Sequence, residues 1–396
     1  MRRATGVLGP STPLYQRPSQ NYQTLSDSCL ARRRRTGRLG LMTPRENLLS
    51  VLRRTGMEEV PMDLSLCDSQ IERFRRETGS TDVASYFRLP HRWIGVDMTG
   101  REDPRSLYPR ETLPERTSFD AWGVAHSAGS EAAYHMTRLH HPLRGATDLA
   151  EIDAYPMPHF DDAAETARLS ERVRAIHESG FATVAGLAQT IWESAWAIRS
   201  MEDLMVDMMS DDDAATLLLD RVADVSRRRA RVVAKAGCDI IQIGDDIGMQ
   251  STPMMSIDLW RDWLKPRLAS VIDAARAAKP DIIIFYHSCG FVLPFIDDLI
   301  DIGVEVLNPI QPESMSFEAV HRGYGDRLSF WGTIGTQSTL PFGSTSDVRD
   351  AVRANVTRCG ERGGIVIGPT HLVEPEVPWE NIVALREACD ELSPTR

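Results

Sequence analysis
Short apolar runs rich in Val, Ile and Phe recur along most of this chain, each followed by a polar or glycine-containing stretch and then a helical pattern. That alternation restricts the fold to parallel βα units, and the (β/α)8 TIM barrel is the α/β fold it fits best. Strands are predicted at Val60–Leu64, Ala182–Leu187, Asp239–Ile243, Ile282–Tyr286, Val304–Leu307, Leu328–Trp331 and Ile365–Ile367, with an eighth harder to place. A helix over Asp212–Ala236 carries Leu217, Leu218, Val222, Val225 and Val232 on a helical repeat and stops at Gly237. Ser256 caps a second helix over Ile257–Ala278. Between residues 88 and 160 the rhythm breaks into pieces such as Trp93-Ile94-Gly95-Val96 and Phe119-Asp120-Ala121-Trp122-Gly123-Val124, read as hairpins and loops inserted early in the barrel. A chain of 396 residues, 42% hydrophobic, buries a large core, and no linker divides it after residue 42. Residues 42–392 are therefore read as one domain.

Residues 1–41 differ in kind. They are rich in Arg, Ser, Pro and Gly, contain the run Arg32-Arg33-Arg34-Arg35 and hold one acidic residue, Asp27. Such a segment cannot build a core, so it is read as a disordered basic tail or as translation from a start placed too far upstream. The folded part then begins at Met42, with Thr43 as N-cap and Pro44 at the first position of a helix through Leu52. The net charge of −11 argues against a nucleic-acid partner, which would demand clustered Lys and Arg. No apolar run is long enough to cross a bilayer. Six cysteines lie scattered without the spacing of a disulfide framework, which points to a reducing cytoplasm. The expected partner is a small-molecule substrate, with a homo-oligomer left open.

In a barrel the chemistry gathers where strands end. Gln189, Trp192 and Glu193 follow the Ala182–Leu187 run, and Asp245, Asp246 and Gln250 follow Asp239–Ile243. Tyr286, His287 and Cys289 stand at the end of the next run, followed by Asn308 and Gln311, then Thr336 and Gln337, and last His371. Their convergence on one mouth is the main argument for an enzyme, although Gln250, Asn308 and Gln311 taken singly are explained as well by loop caps or rim hydrogen bonds. His287-Ser288-Cys289-Gly290 is the sharpest signal: an imidazole and a thiolate two residues apart suit zinc better than magnesium or calcium. Two ligands do not make a site, so His371, Glu193, Asp245 or Asp246 would have to complete it. A buried cysteine beside a core-bonded histidine explains the same residues without metal. Asp245 and Asp246 read as a general acid/base pair, or as carboxylates at a helix N-terminus or on a solvated rim.

These residues carry a resemblance. His287-Ser288-Cys289-Gly290, Gly303-Val304-Glu305-Val306-Leu307-Asn308-Pro309-Ile310-Gln311, the segment from Gly325 to Gly332, and Gly363-Gly364-Ile365-Val366-Ile367-Gly368-Pro369-Thr370-His371 are similar to successive motifs of the uroporphyrinogen-decarboxylase superfamily. So are Pro375–Ile382, Thr43–Leu49 and Gly244–Gln250. The resemblance implies a (β/α)8 barrel. True uroporphyrinogen decarboxylases carry an N-terminal Arg-rich anion clamp, and the corresponding Val60–Cys67 here has no arginine. The H-x-C-G segment resembles instead the corrinoid-dependent methyltransferases, in which a histidine and a cysteine at this spacing bind zinc and a later cysteine completes the set. His371 stands where that cysteine would be. The resemblance thus implies zinc on His287 and Cys289, with His371 a third ligand or a substrate contact, and a methylcorrinoid on a partner protein, or an activated small molecule, as methyl donor. Two readings compete with it: metal-free decarboxylation, with Asp245, Asp246 or His371 as proton donor, and a non-catalytic binding barrel.

Overall fold
The computed structural model describes residues 42–129 and 137–393; the basic segment 1–41 lies outside the described residues. Its centre is a seven-stranded parallel sheet in the order β1-β5-β6-β7-β8-β9-β10. The strands are β1 (His91–Ile94), β5 (Ala182–Gly186), β6 (Ile240–Gly244), β7 (Ile283–His287), β8 (Val306–Asn308), β9 (Ser329–Trp331) and β10 (Ile365–Val366). Helices follow each strand from β5 to β10, so the architecture is TIM-barrel-like, and six of the seven predicted strands recur with ends shifted by one or two residues.

The seventh, Val60–Leu64, is not a regular strand. It touches the sheet through a single parallel bridge, Met62 to Ile367. The Asp63 N–H donates to Ile367 O at 2.8 Å, and the Ile367 N–H donates to Pro61 O at 2.9 Å. Pro61 has no N–H to extend the ladder, and the Asp63 carboxylate accepts from the next backbone N–H, of Leu64, at 2.9 Å. On its other side this segment meets β1 through side chains, His91 Nε2 lying 3.3 Å from Asp63 Oδ1. Among the described residues the ladder therefore does not close into eight hydrogen-bonded strands.

The strand that sequence reading missed is β1. Trp93-Ile94-Gly95-Val96 was expected in a hairpin or loop, yet Trp93 and Ile94 pair in parallel with Val184 and Ala185. No apolar run marks it because Arg92 sits mid-strand. Its guanidinium donates to Leu89 O at 3.0 Å and His91 O at 2.8 Å and lies 3.8 Å from the centroid of Phe181, so a charged residue is satisfied without breaking the strand. The expected insertion follows it. An antiparallel sheet of β2 (Thr117–Phe119), β3 (Ala125–Ala128) and β4 (Thr137–His140) stands between β1 and β5, and Phe119–Val124 forms its first corner. Ser256 caps its helix as predicted and Asp212, expected as a first helical residue, caps the helix Asp213–Lys235, but the second helix breaks at Leu264 into Ile257–Trp263 and Lys265–Ala278. Pro266 is the reason, since its ring cannot follow the carbonyl four residues back without a clash. No helix among the described residues is long and apolar enough to cross a membrane.

Alternation along the strands separates two cores. Ala182, Val184, Ile240, Ile283, Phe285, Val306, Trp331 and Val366 point inward and pack together with Leu48 and Leu52 of the helix Pro44–Leu52. That helix starts with the expected Thr43 cap and a capping box to Glu46. It docks where strands begin: the Arg45 N–H donates to Gly180 O and the Gly364 N–H to Val51 O. The N-terminal end of the sheet is thereby plugged, and the polar residues are left to the opposite end. Following the same period of two, the inward face of β7 runs Ile283, Phe285, His287, and that of β8 runs Val306, Asn308.

Candidate metal centre
His287 and Cys289 stand at the end of β7, Asp246 just past the end of β6. One ligand atom from each lies within 4.8 Å of the other two. His287 Nε2 is 3.7 Å from Cys289 Sγ and 3.7 Å from Asp246 Oδ1. Each ligand is held from behind. His287 Nδ1 meets Asn308 Oδ1 at 2.6 Å, and Asn308 Nδ2 donates to Trp331 O at 2.6 Å, which fixes the amide so that its oxygen faces the ring and leaves Nε2 turned to the cluster. The Cys289 N–H donates to Asp246 Oδ1 at 2.7 Å, and the Asp246 N–H donates to Glu193 Oε2 at 3.1 Å. Ser288 Oγ accepts from the Ile247 N–H at 3.0 Å, a support that no sequence motif announced.

The loops carrying these residues touch backbone to backbone, and glycine is what lets them. A Cβ on Gly248 would lie 2.7 Å from Cys289 O, and one on Gly290 would lie 2.5 Å from Met249 O. The Phe291 N–H closes the contact with a hydrogen bond to Met249 O at 2.7 Å.

The electrostatics are one-sided. Glu193, Asp245 and Asp246 gather with the Cys289 thiol, and among the described residues no lysine or arginine shifts either Glu193 or Cys289. Burial, and then the Asp246 and Asp245 carboxylates, push the Glu193 carboxyl well above the usual range. Burial, then Asp246 and Glu193, push the Cys289 thiol up as well. Asp245 is pushed up to about 6 by burial, although backbone N–H groups of Glu193 and Ile191 hold its charged form back toward the normal range. Those bonds measure 2.9 Å from Glu193 N and 3.1 Å from Ile191 N, so Asp245 acts as the N-terminal cap of the helix Trp192–Arg199. The donors of the cluster, an imidazole, a thiol and a carboxylate, fit a borderline-soft divalent ion such as zinc, whose charge would offset the excess of acids.

Asp245 makes this imbalance measurable. Its folded-state pKa of about 6 exceeds the ordinary 3.8, so the folded protein holds that proton more tightly than the unfolded chain does. Stability from this group is complete below 3.8 and is lost as pH rises to about 6. In chelator-treated protein, Asp245→Asn is expected to flatten the decline in urea stability across that window, while the N-cap survives through the amide oxygen. Identical pH slopes for variant and wild type would count against the placement.

The other candidates divide. Tyr286 faces away from the mouth, is buried at 1% exposure and donates to Asp245 O at 3.2 Å, so it props the β6 loop and does not line a substrate space. Trp192 is fully buried in the outer core, again not a lining residue. Tyr286 takes the face opposite to His287 because it is one residue of strand alternation away, and Trp192 opens the helix Trp192–Arg199 with its ring in the outer core. Asn308 is buried and serves His287. Gln189 stands at φ +60° with its carbonyl accepting from Ser194 Oγ at 2.6 Å. Gln250 and Gln337 meet at the rim, 3.2 Å apart, and Glu313 pins the same rim by accepting from Ser338 Oγ at 2.6 Å. His371 is exposed and is not in the three-residue cluster. It lines a neighbouring pocket of about 370 Å³ together with Gln311, Thr336, Gln337 and Phe342.

Comparison with known proteins adds to this geometry. The family model described as uroporphyrinogen decarboxylase (URO-D) matches residues 116–392. A methylcobamide:CoM methyltransferase, MtaA, of Methanosarcina barkeri is 29% identical over 192 residues, 48% of this chain and 53% of that protein. The chain thus matches about half the length of this relative. A uroporphyrinogen decarboxylase of Coxiella burnetii is 20% identical over 264 residues, covering 64% of this chain and 70% of its own. Among solved structures, a methyltransferase from Methanosarcina mazei superimposes with a TM-score of 0.59 at 19% identity, over 89% of this chain and 99% of that one, a likeness of fold.

Proposed function
Since the chain belongs to the uroporphyrinogen decarboxylase family, we propose that it is a methyltransferase-type enzyme whose metal centre is Asp246, His287 and Cys289. The observation that carries the reading is that cluster: N, S and O donors within 4.8 Å of one another at two adjacent strand ends, beside the buried carboxyls of Glu193 and Asp245. The relative named for methylcobamide:CoM methyl transfer supports the reaction type. Residues 42–392 are taken as the catalytic unit.

Zinc held there would supply a bound thiolate as nucleophile, because it lowers a thiol's pKa. The rest is the work of the chain. Asn308 orients His287, the Cys289 N–H orients Asp246, and Asp245 fixes the helix that brings Glu193 beneath the Asp246 backbone. Burial pushes the Glu193 carboxyl well above the usual range, which favours its neutral form behind Asp246 and limits the like charge an incoming substrate thiolate would meet. His371, on the adjoining pocket, is assigned to the substrate side. The methyl group comes from a methylcorrinoid on a partner protein or from an activated small molecule; the new bond is carbon to sulfur and the donor leaves with the electron pair.

Metal-free decarboxylation draws on one observation, the raised acids Glu193 and Asp245, which suit proton donation near neutrality. The two readings part in one assay. Zinc-reconstituted protein given a methylcorrinoid and a small thiol should form the methyl thioether, and chelation should stop it. Unimpaired turnover after chelation would transfer the preference to the decarboxylase. With uroporphyrinogen as substrate, no coproporphyrinogen is expected, because Val60–Cys67 lacks arginine.

A further inference from the structure
The antiparallel sheet inserted between β1 and β5 holds a second arrangement of reactive side chains, outside the metal centre. β3 and β4 pair so that Ser127 stands opposite Arg138 and Ala125 opposite His140. Strand alternation puts all four side chains on one face, with Ser127 and His140 as diagonal neighbours. Ser127 Oγ lies 2.8 Å from His140 Nε2, and His140 Nδ1 lies 2.6 Å from Glu111 Oε1. An ionised carboxylate can only accept, so Glu111 places the imidazole proton on Nδ1 and leaves Nε2 to accept from the serine hydroxyl. Tyr108 holds the strands in this register: its hydroxyl donates to His140 O at 2.9 Å and accepts from the Ala125 N–H at 2.6 Å. The other described histidine in the middle of the sheet, His126, faces the opposite side with longer contacts, 3.1 Å to Thr137 Oγ1 and 3.3 Å to Asp120 Oδ2.

Serine, imidazole and carboxylate joined in that order within hydrogen-bond reach turn a hydroxyl into a nucleophile, on whatever fold they occur. We propose that Ser127, His140 and Glu111 form a second, hydrolytic site that cleaves small carboxylic esters. Ser127 Oγ attacks the acyl carbon while His140 Nε2 takes its proton and passes it to the departing alkoxide. Water, deprotonated at the same nitrogen, then attacks the acyl-serine, frees the acid and restores the hydroxyl. Glu111 is the positioning residue. The exposed Arg138, directly opposite Ser127, brings a guanidinium within reach of the oxyanion that forms at each attack. Ser127 is 5% exposed, so only a small acyl group can reach it.

p-Nitrophenyl acetate tests this on the full-length, zinc-loaded protein. A burst of nitrophenolate is expected, with the acetyl group found on Ser127 by peptide mass mapping. Ser127→Ala should lose both. Glu111→Gln, whose side chain is 38% exposed, should keep its fold and slow the burst by about 10²–10⁴-fold, the size of effect for an imidazole held wrongly. Chelation of zinc should leave the burst unchanged, which separates it from the metal centre. Acetylation confined to other residues, a burst that survives Ser127→Ala, or one undiminished in folded Glu111→Gln would overturn the inference; the mapping on wild-type protein decides it even if Ser127→Ala fails to fold.

Discussion

Cys289→Ala is expected to strip the protein of most of its zinc while leaving the barrel folded, and His287→Ala to do the same. Each side chain offers the cluster an atom: His287 Nε2 and Cys289 Sγ lie 3.7 Å apart, and Asn308 takes only the other ring nitrogen. Loss of a residue that merely supports a ligand costs about 10–100-fold in metal affinity, so removal of a ligand should cost more than that. The fold should persist because the inner core from Leu48 to Val366 is apolar and owes nothing to metal. Asp246→Asn separates the structure's ligand set from the one the sequence favoured. If Asp246 is the third ligand, its amide should weaken zinc strongly, whereas His371→Ala should leave zinc bound and impair thiol binding. Stoichiometric zinc in purified Cys289→Ala protein, measured by mass spectrometry, would dispose of the centre.

How far the sequence could be read depended on whether a residue's role was local. His287 and Cys289 were legible because both the spacing and the strand that carries them lie within one short segment. The third member of the cluster was not, since the choice among Asp245, Asp246, Glu193 and His371 is made by which side chain turns toward His287 and Cys289. Asp245 turns to cap the helix at Ile191 and Glu193, and its neighbour Asp246 is left to face the thiol. Tyr286, one residue of alternation from His287, takes the other face and donates to Asp245 O. For β1, the failure was of composition: Arg92 interrupts the apolar run, and its hydrogen bonds to Leu89 O and His91 O, with the ring of Phe181 distant in sequence, make that tolerable. Gln311, Phe342 and Glu376 come from segments far apart in the chain, so nothing short of the fold could have put them around one pocket.

The second large effect should come from a residue with no side chain. Gly244 is the last residue of β6, paired with His287 across the ladder, and it adopts φ +141°, a backbone conformation that L side chains rarely take. A Cβ there would lie 2.0 Å from His287 O and 2.6 Å from His287 N. Both neighbours are backbone, so neither can swing aside; β7 itself would have to move. The Gly244 N–H also donates to Thr190 Oγ1 at 2.8 Å and its carbonyl accepts from the Thr190 N–H at 3.1 Å, tying the β6 end to the loop that leads into Glu193. Gly244→Ala therefore adds backbone strain, at about 1–3 kcal/mol, to overpacking of similar size, and about 3–5 kcal/mol of lost stability is expected. The displacement falls on the residue that carries the imidazole, so zinc affinity should drop along with the melting temperature. Gly79→Ala is the control for the strain alone: it stands at φ +67° with no atom within 4 Å of the added Cβ, far from any ligand, and should cost about 1 kcal/mol without touching zinc. A Gly244→Ala protein with wild-type melting temperature and full zinc would show that β6 and β7 are not packed as described.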